Sequence, residues 1–336
     1  AYSSPVKGVL KRPPTRHIAK LTASTGLTSA YFHTINRDST EQYTVMITAS
    51  GVSVWDMAGN AKTVSAPGGY GYLSGITPLT DLAVLTVADY TFIVNKTKTC
   101  AMDTGTLTTV RKKEALVYVR QSDYKCDYKV FVDGTQQASY TTQDASSASN
   151  RASVDTNNIA AQLTTQLTTN IGANYNITQY GSVVYIQRKT AGVDFTITTE
   201  DSLSDQGLVS VKDSIQDFSK LPPRAVDGFQ VKVTGDSSVV WNGYYVKFVD
   251  ANTSSTSGSW VECNSQGLQL QFDNTTMPHQ LVRNGDGTFT YGPVTWIQRL
   301  IGDEKSAPNP SFIGNKINDV FFHRNRLGFL SGQSVA

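Results

Sequence analysis

At 336 residues the chain exceeds one comfortable hydrophobic core, and 29 Lys and Arg against 27 Asp and Glu leave a formal charge of +2. That balance gives no evidence of a strongly nucleic-acid-binding or membrane-binding surface, and the length leads us to expect two or three domains. Only 17% of residues are charged, while 16 Tyr and 13 Phe are present, a mixture that favours pleated surfaces over a helical enzyme.

The opening "AYSSPVKGVLKRPPTRHIAK" concentrates Lys7, Lys11, Arg12, Arg16 and Lys20 around Pro13-Pro14. Such an arm either touches nucleic acid or an acidic partner surface, or packs along a neighbouring domain; the residues leave both open. It has no apolar h-region, and no window of the chain approaches about eighteen consecutive apolar residues, so neither a secretion signal nor a spanning helix is expected. From Tyr31 to about Asn95 the text reads as short strands and turns. "EQYTVMITASGVSVWDMAGNAKTV" offers two apolar runs about Ser50-Gly51 and a second turn at Gly59-Asn60, a meandering antiparallel pattern. "PGGYGYLSG" does not open a helix, so it reads as a flexible loop rather than a phosphate cradle. "LAVLTVADYTFIVN" reads as one strand buried on both faces.

Between residues 113 and 215 the rhythm changes to a strand pair, one helix and a second strand pair. The helix, about 155–171, takes Asp155 or Thr156 as N-cap, places Ile159, Leu163, Leu167 and Ile171 at every fourth position, and stops at Gly172 in a left-handed conformation. This makes a self-contained α+β unit. Pro222-Pro223 in "FSKLPPRAVDG" fixes an extended connection suited to a boundary. Strands resume beyond it, with Asn284-Gly285-Asp286-Gly287 as a hairpin tip that lacks the further ligands of a calcium loop.

The last stretch, "INDVFFHRNRLGFLSG", echoes "VADYTFIVN": Asp319, Phe322 and Asn325 match Asp89, Phe92 and Asn95 in step. A recurring strand unit is what repeated blades leave in sequence. "VFFHR" and "LGFLS" then form a hairpin turned at Asn325-Arg326, with Arg324 and Arg326 flanking the turn. Exposure of Phe321, Phe322, Leu327, Phe329 and Leu330 would forfeit about 1.5–3 kcal/mol each. More chain or another subunit is therefore expected to cover them.

Catalytic constellations are missing. There is no GxSxG, GxGxxG, GxxxxGK[ST] or HExxH, and His17, His33, His279 and His323 stand alone. Glu200-Asp201 and Asp303-Glu304 read as solvated turns, not as a paired-carboxylate site. Cys100, Cys126 and Cys263 share no ligand spacing and are expected to be buried free thiols. No enzyme activity, metal or cofactor is expected.

Taken together, "LKRPP", "INRDSTEQYTVMITASGVSVWDMAGN", "VADYTFIVN", "FSKLPP", "TMPHQLVRNGDGTF" and "NPSFIGNKINDVFFHRNRLGFLSG" resemble the N-terminal half of the tail tubular protein B, or nozzle, family of T7-like short-tailed bacteriophages. The similarity runs from about Gly8 to Gly332 and is strongest in 31–95 and 271–332. It implies a mainly β fold: propeller-type blades of antiparallel strands, an inserted α+β domain and a further β-rich, platform-like domain. The layout is an arm and first blade strands in 1–112, the α+β domain in 113–215 as a fibre dock, a platform in 216–310, and a truncated return to the propeller in 311–336. It further implies a homo-hexameric tube in the virion tail, below an adaptor ring and holding tail fibres. The tube would retain and then conduct double-stranded DNA during ejection, with no membrane span. Lys11, Arg12, Arg16 and Lys20 are then candidate interface or DNA-proximal residues. Asp319, Phe321, Phe322, Arg324, Asn325, Arg326 and Phe329 are the structural propeller hairpin. The alternative is a virion-associated carbohydrate-binding or glycan-degrading propeller.

Overall fold

The structure is a computed structural model and describes residues 2–4, 6–11, 15–21, 27–235, 243–251 and 258–336. The chain forms two compact units, one of Ala1–Thr104, Gln271–Ile297 and Asn309–Ala336, the other of Gly105–Leu270 and Gln298–Pro308. Both are built mainly from open antiparallel sheets.

In the first unit, strands Tyr31–Asn36, Gln42–Thr48, Gly51–Asp56 and Ala61–Lys62 form a meander. Period-two alternation turns Ile35, Tyr43, Val45, Ile47, Val52 and Val54 into a core shared with Leu73 and with Ile93, Leu281 and Phe289 of the neighbouring sheet. That sheet runs in the order Val64–Ser65, Phe289–Pro293, His279–Arg283, Tyr90–Asn95, Leu82–Val87. Ile93 and Val94 are both buried, on opposite faces, because a third sheet packs on the other side. This is Asp319–His323, Arg326–Ser331 and Ser334–Val335, whose Val320 and Phe329 join Ala83, Val94, Cys100, Met277 and Phe312.

Several expectations are corrected here. "LAVLTVADYTFIVN" is not one strand but a tight hairpin, Leu82–Val87 paired with Tyr90–Asn95 through Ala88 at φ 53° and Asp89. The first meander turn is centred on Ala49-Ser50, one residue early, since Thr48 pairs with Gly51. The closing turn is likewise Arg324-Asn325, at φ 48° and 61°, because His323 pairs with Arg326. Two consecutive left-handed residues give the type I′ geometry that matches strand twist. The in-step match of Asn95 with Asn325 therefore fails. Asn95 is a buried strand end bonded to Tyr72, whereas Asn325 sits in an exposed turn and corresponds to Asp89. "PGGYGYLSG" is no flexible loop either: Gly71–Leu73 is a 3-10 turn that buries Tyr72 and Leu73. At the other hairpin tip, Asn284 N donates to Thr288 O at 2.8 Å and Gly287 takes φ 81°, as a plain turn does.

The second unit has three layers. A four-stranded sheet, ordered Tyr175–Tyr180, Val183–Arg188, Glu114–Val119, Leu208–Val211, lies at its centre. One face packs against the helix Thr156–Ile171 and the sheet Thr135–Thr141, Asp127–Val132, Ile197–Asp201. Its other face, through Leu116, Val183, Tyr185 and Val211, meets Phe229, Val231, Val246 and Phe248 of the sheet Ser214–Ile215, Gln230–Val233, Tyr244–Asp250, Gly258–Cys263. Asp155 caps the helix by accepting from Asn157 N and Asn158 N at 2.8 and 3.2 Å. Ile159, Leu163 and Leu167 are wholly buried. The stop is right-handed, at φ −59° for Gly172; glycine is needed there for space, since a Cβ would run into the Thr168 carbonyl. All three cysteines are buried and free.

Candidate functional site

The basic arm and the closing hairpin are the surfaces the sequence singles out. Lys11, Arg16 and Lys20 are exposed and form no ion pair among the described residues; Arg12 lies outside those residues. The root of the arm is fixed. A Cβ on Gly59 would collide with Ala19, and Leu21 packs against the small cluster of Ala30, Met46 and Trp55 on the outer face of the meander.

The hairpin is only half covered, which corrects the expectation that its apolar side chains stand unpacked. Val320, opposite Phe329, faces the core, with Leu327 partly buried. Phe322 remains 43% exposed at the tip and Leu330 38% exposed on the outer face. Phe321 closes over Gly328, where any Cβ would strike its ring, an aromatic lid on a cross-strand glycine. Asp319, Arg324, Asn325 and Arg326 are all exposed. Arg324 lies in the turn itself, and Arg326 stands beside His323 across the strands.

Elsewhere several charged groups are committed to one another. Glu41 accepts from Arg37 at 2.6 Å, Arg283 at 2.6 Å and Tyr43 at 2.5 Å, and Arg37 also meets Asp89 at 2.9 Å. The Tyr43 hydroxyl and the Arg37 fork hold the Glu41 carboxyl below the usual carboxylate range. Glu114, 8% exposed, takes both arms of Arg111 at 2.6 and 3.0 Å and the Tyr185 hydroxyl at 2.6 Å. A cavity of about 530 Å³ beside it is lined by Lys113, Asp213, Lys232 and Tyr245 among others. Two of its lysines are ion-paired, Lys113 at 3.4 Å from Asp213 and Lys232 at 3.4 Å from Asp303, while Lys112 donates to the Lys189 carbonyl at 2.9 Å. Asp201 is a turn anchor, accepting from Leu203, Asp205, Gly207 and Leu208 backbone N–H groups. Asp303 does the same for Lys305 and Ser306.

His279 stacks on Tyr72 at 4.2 Å and 4°, and burial pushes its pKa down to about 4. It is a packed neutral imidazole, not a ligand or base. Among the described residues, no group of three or more His, Cys, Asp or Glu is placed to hold a metal ion, and no helix is long and apolar enough to cross a membrane.

The profile of the bacteriophage nozzle protein family matches residues 1–336. The chain belongs to that family. It is similar to "Tail tubular protein gp12" of Escherichia phage T7, with 36% identity over 338 aligned residues that cover 99% of this chain and 42% of the relative. This nozzle-family chain thus spans less than half the length of that relative. Sequence reasoning located the arm and the hairpin, but it missed the knot at Glu41 and the buried Glu114–Arg111–Tyr185 set. The latter left no local signal, because Arg111 and Glu114 lie on no helix; Tyr185 could only be added by the fold.

Proposed function

We propose that this nozzle-family chain is a wall segment of a short, non-contractile phage tail. In this reading six copies form a tube below an adaptor ring, which retains the genomic double-stranded DNA, conducts it during ejection and helps to anchor tail fibres. The observation that carries it is the family match over the whole chain, joined by the likeness to a tail tubular protein. The surface chemistry supports it. A formal charge of +2 does not clamp DNA by counterion release, so the polymer can slide. A ring needs two different contact faces on each copy.

The tight hairpins Gln42–Thr48/Gly51–Asp56, Leu82–Val87/Tyr90–Asn95 and Asp319–His323/Arg326–Ser331 support a propeller-type arrangement of blades in the tube body. Residues 113–215 are the candidate fibre dock and 216–310 the candidate platform. Electron cryo-microscopy of the virion tests the proposal. A six-fold ring of this protein continuous with the DNA channel is expected; its location off the channel, or another symmetry, would reject it.

A further inference from the structure

We infer that the N-terminal arm is a clasp that docks on a second copy of this chain rather than on DNA. This deepens the ring proposed above and rests on it. The chain segregates its charge. Residues 1–36 hold five basic residues, Lys7, Lys11, Arg12, Arg16 and Lys20, and no acidic one. Residues 37–336 therefore hold 29 − 5 = 24 Lys and Arg against all 27 Asp and Glu, a net −3 beside the arm's +5. The body of each copy is thus complementary to the arm of another, which a uniformly near-neutral protein would not be.

Charge alone would also suit a nucleic acid; the apolar residues between the cations decide. Val6, Val9 and Ile18 are 89%, 79% and 63% exposed. A phosphate-binding arm has no use for them, whereas a protein surface buries them with gain. Among the described residues, the strands Tyr2–Ser4 and Gly8–Leu10 pair only with each other. A lone hairpin of this size is marginal in water and needs a third element to pack on. At its root the arm is held against its own meander through Ala19 and Leu21. Lys11, Arg16 and Lys20 find no partner on their own copy among the described residues.

The test uses the full chain and the variant Lys11→Glu/Arg16→Glu/Lys20→Glu. Sedimentation velocity is run at about 50 mM and about 500 mM salt, where screening changes severalfold, with circular dichroism and thermal melting to verify that the variant folds. The wild-type chain is expected to self-associate, with an association constant at least about tenfold weaker at the higher salt, and the folded variant to lose that association. An equimolar mixture is expected to regain part of it, because variant bodies still accept wild-type arms. Association unchanged in the variant overturns the clasp and leaves the ring standing. A wild-type chain that stays monomeric at both salts overturns it as well, whatever symmetry imaging finds. Fluorescence anisotropy with a short DNA duplex is the last arm: a variant that loses duplex binding but keeps self-association assigns the arm to nucleic acid and overturns the clasp.

Discussion

Gln166 stands in for a strand beside Ser139. Its Oε1 accepts from Ser139 N at 2.9 Å and its Nε2 donates to Ser139 O at 2.8 Å. One helix side chain thereby closes the open edge of Thr135–Thr141, and Asn170 adds a bond to Gln137 O at 2.7 Å. An uncovered edge is a template for pairing with another chain. Gln166→Ala is expected to cost about 1–2 kcal/mol in urea unfolding, the worth of two half-buried amide bonds. Amide exchange at Ser139 should accelerate while that at Val130, inside the sheet, stays slow. Unchanged exchange at Ser139 would refute this role.

Glu114 gives a larger effect. Arg111→Met leaves its carboxylate buried with only the Tyr185 hydroxyl, and a stranded buried charge costs about 3–5 kcal/mol. Arg111→Met combined with Glu114→Leu is expected to recover most of that loss. Chemical denaturation of the single and double variants checks both statements.

Acid should weaken the first unit through His279. Its folded pKa of about 4 lies below the ordinary 6.5, so the unfolded chain takes up a proton that the folded chain refuses. Stability is therefore full above the unfolded pKa and falls as pH drops toward the folded one, by at most about 1.4 kcal/mol per pH unit. His279→Phe keeps a ring against Tyr72 and removes the titration. Its unfolding free energy measured across this window should be flatter than that of the wild type.

Gly328→Ala is expected to drive the Phe321 ring off the closing hairpin. The displaced ring and new methyl should cost about 1–3 kcal/mol, seen as a lower melting temperature. Phe321→Leu in the same background should restore part of it, because the collision is with the ring edge.

What the sequence made legible follows from how local each signal is. The helix announced itself because Asp155 and the spacing of Ile159, Leu163 and Leu167 are read within one segment. The hairpin at Asn284–Gly287 was equally plain, since glycine at φ 81° marks it. The turns at Ala88-Asp89 and Arg324-Asn325 were hidden or misplaced because non-glycine residues adopt left-handed backbone there, so the usual punctuation is missing. Of the two surfaces, the arm's composition was readable and its root on Gly59 was not. Half of the closing hairpin is buried by Met277 and Phe312, which no local pattern could connect to it. The pairing of Gln166 with Ser139 is of the same non-local kind.

The first unit is assembled from three stretches of chain, and His279 pairs directly with Ile93. On a bacterial ribosome the strand Tyr90–Asn95 emerges and then waits for His279–Arg283. At translation speeds of about 5–20 residues per second that delay is roughly ten to forty seconds. Most of the second unit, Gly105–Leu270, is synthesised in the interval, so it can close while its host is still an open sheet with an apolar face in search of cover. Nascent copies are most prone to clump in that interval, and slowing synthesis before residue 279 would prolong it.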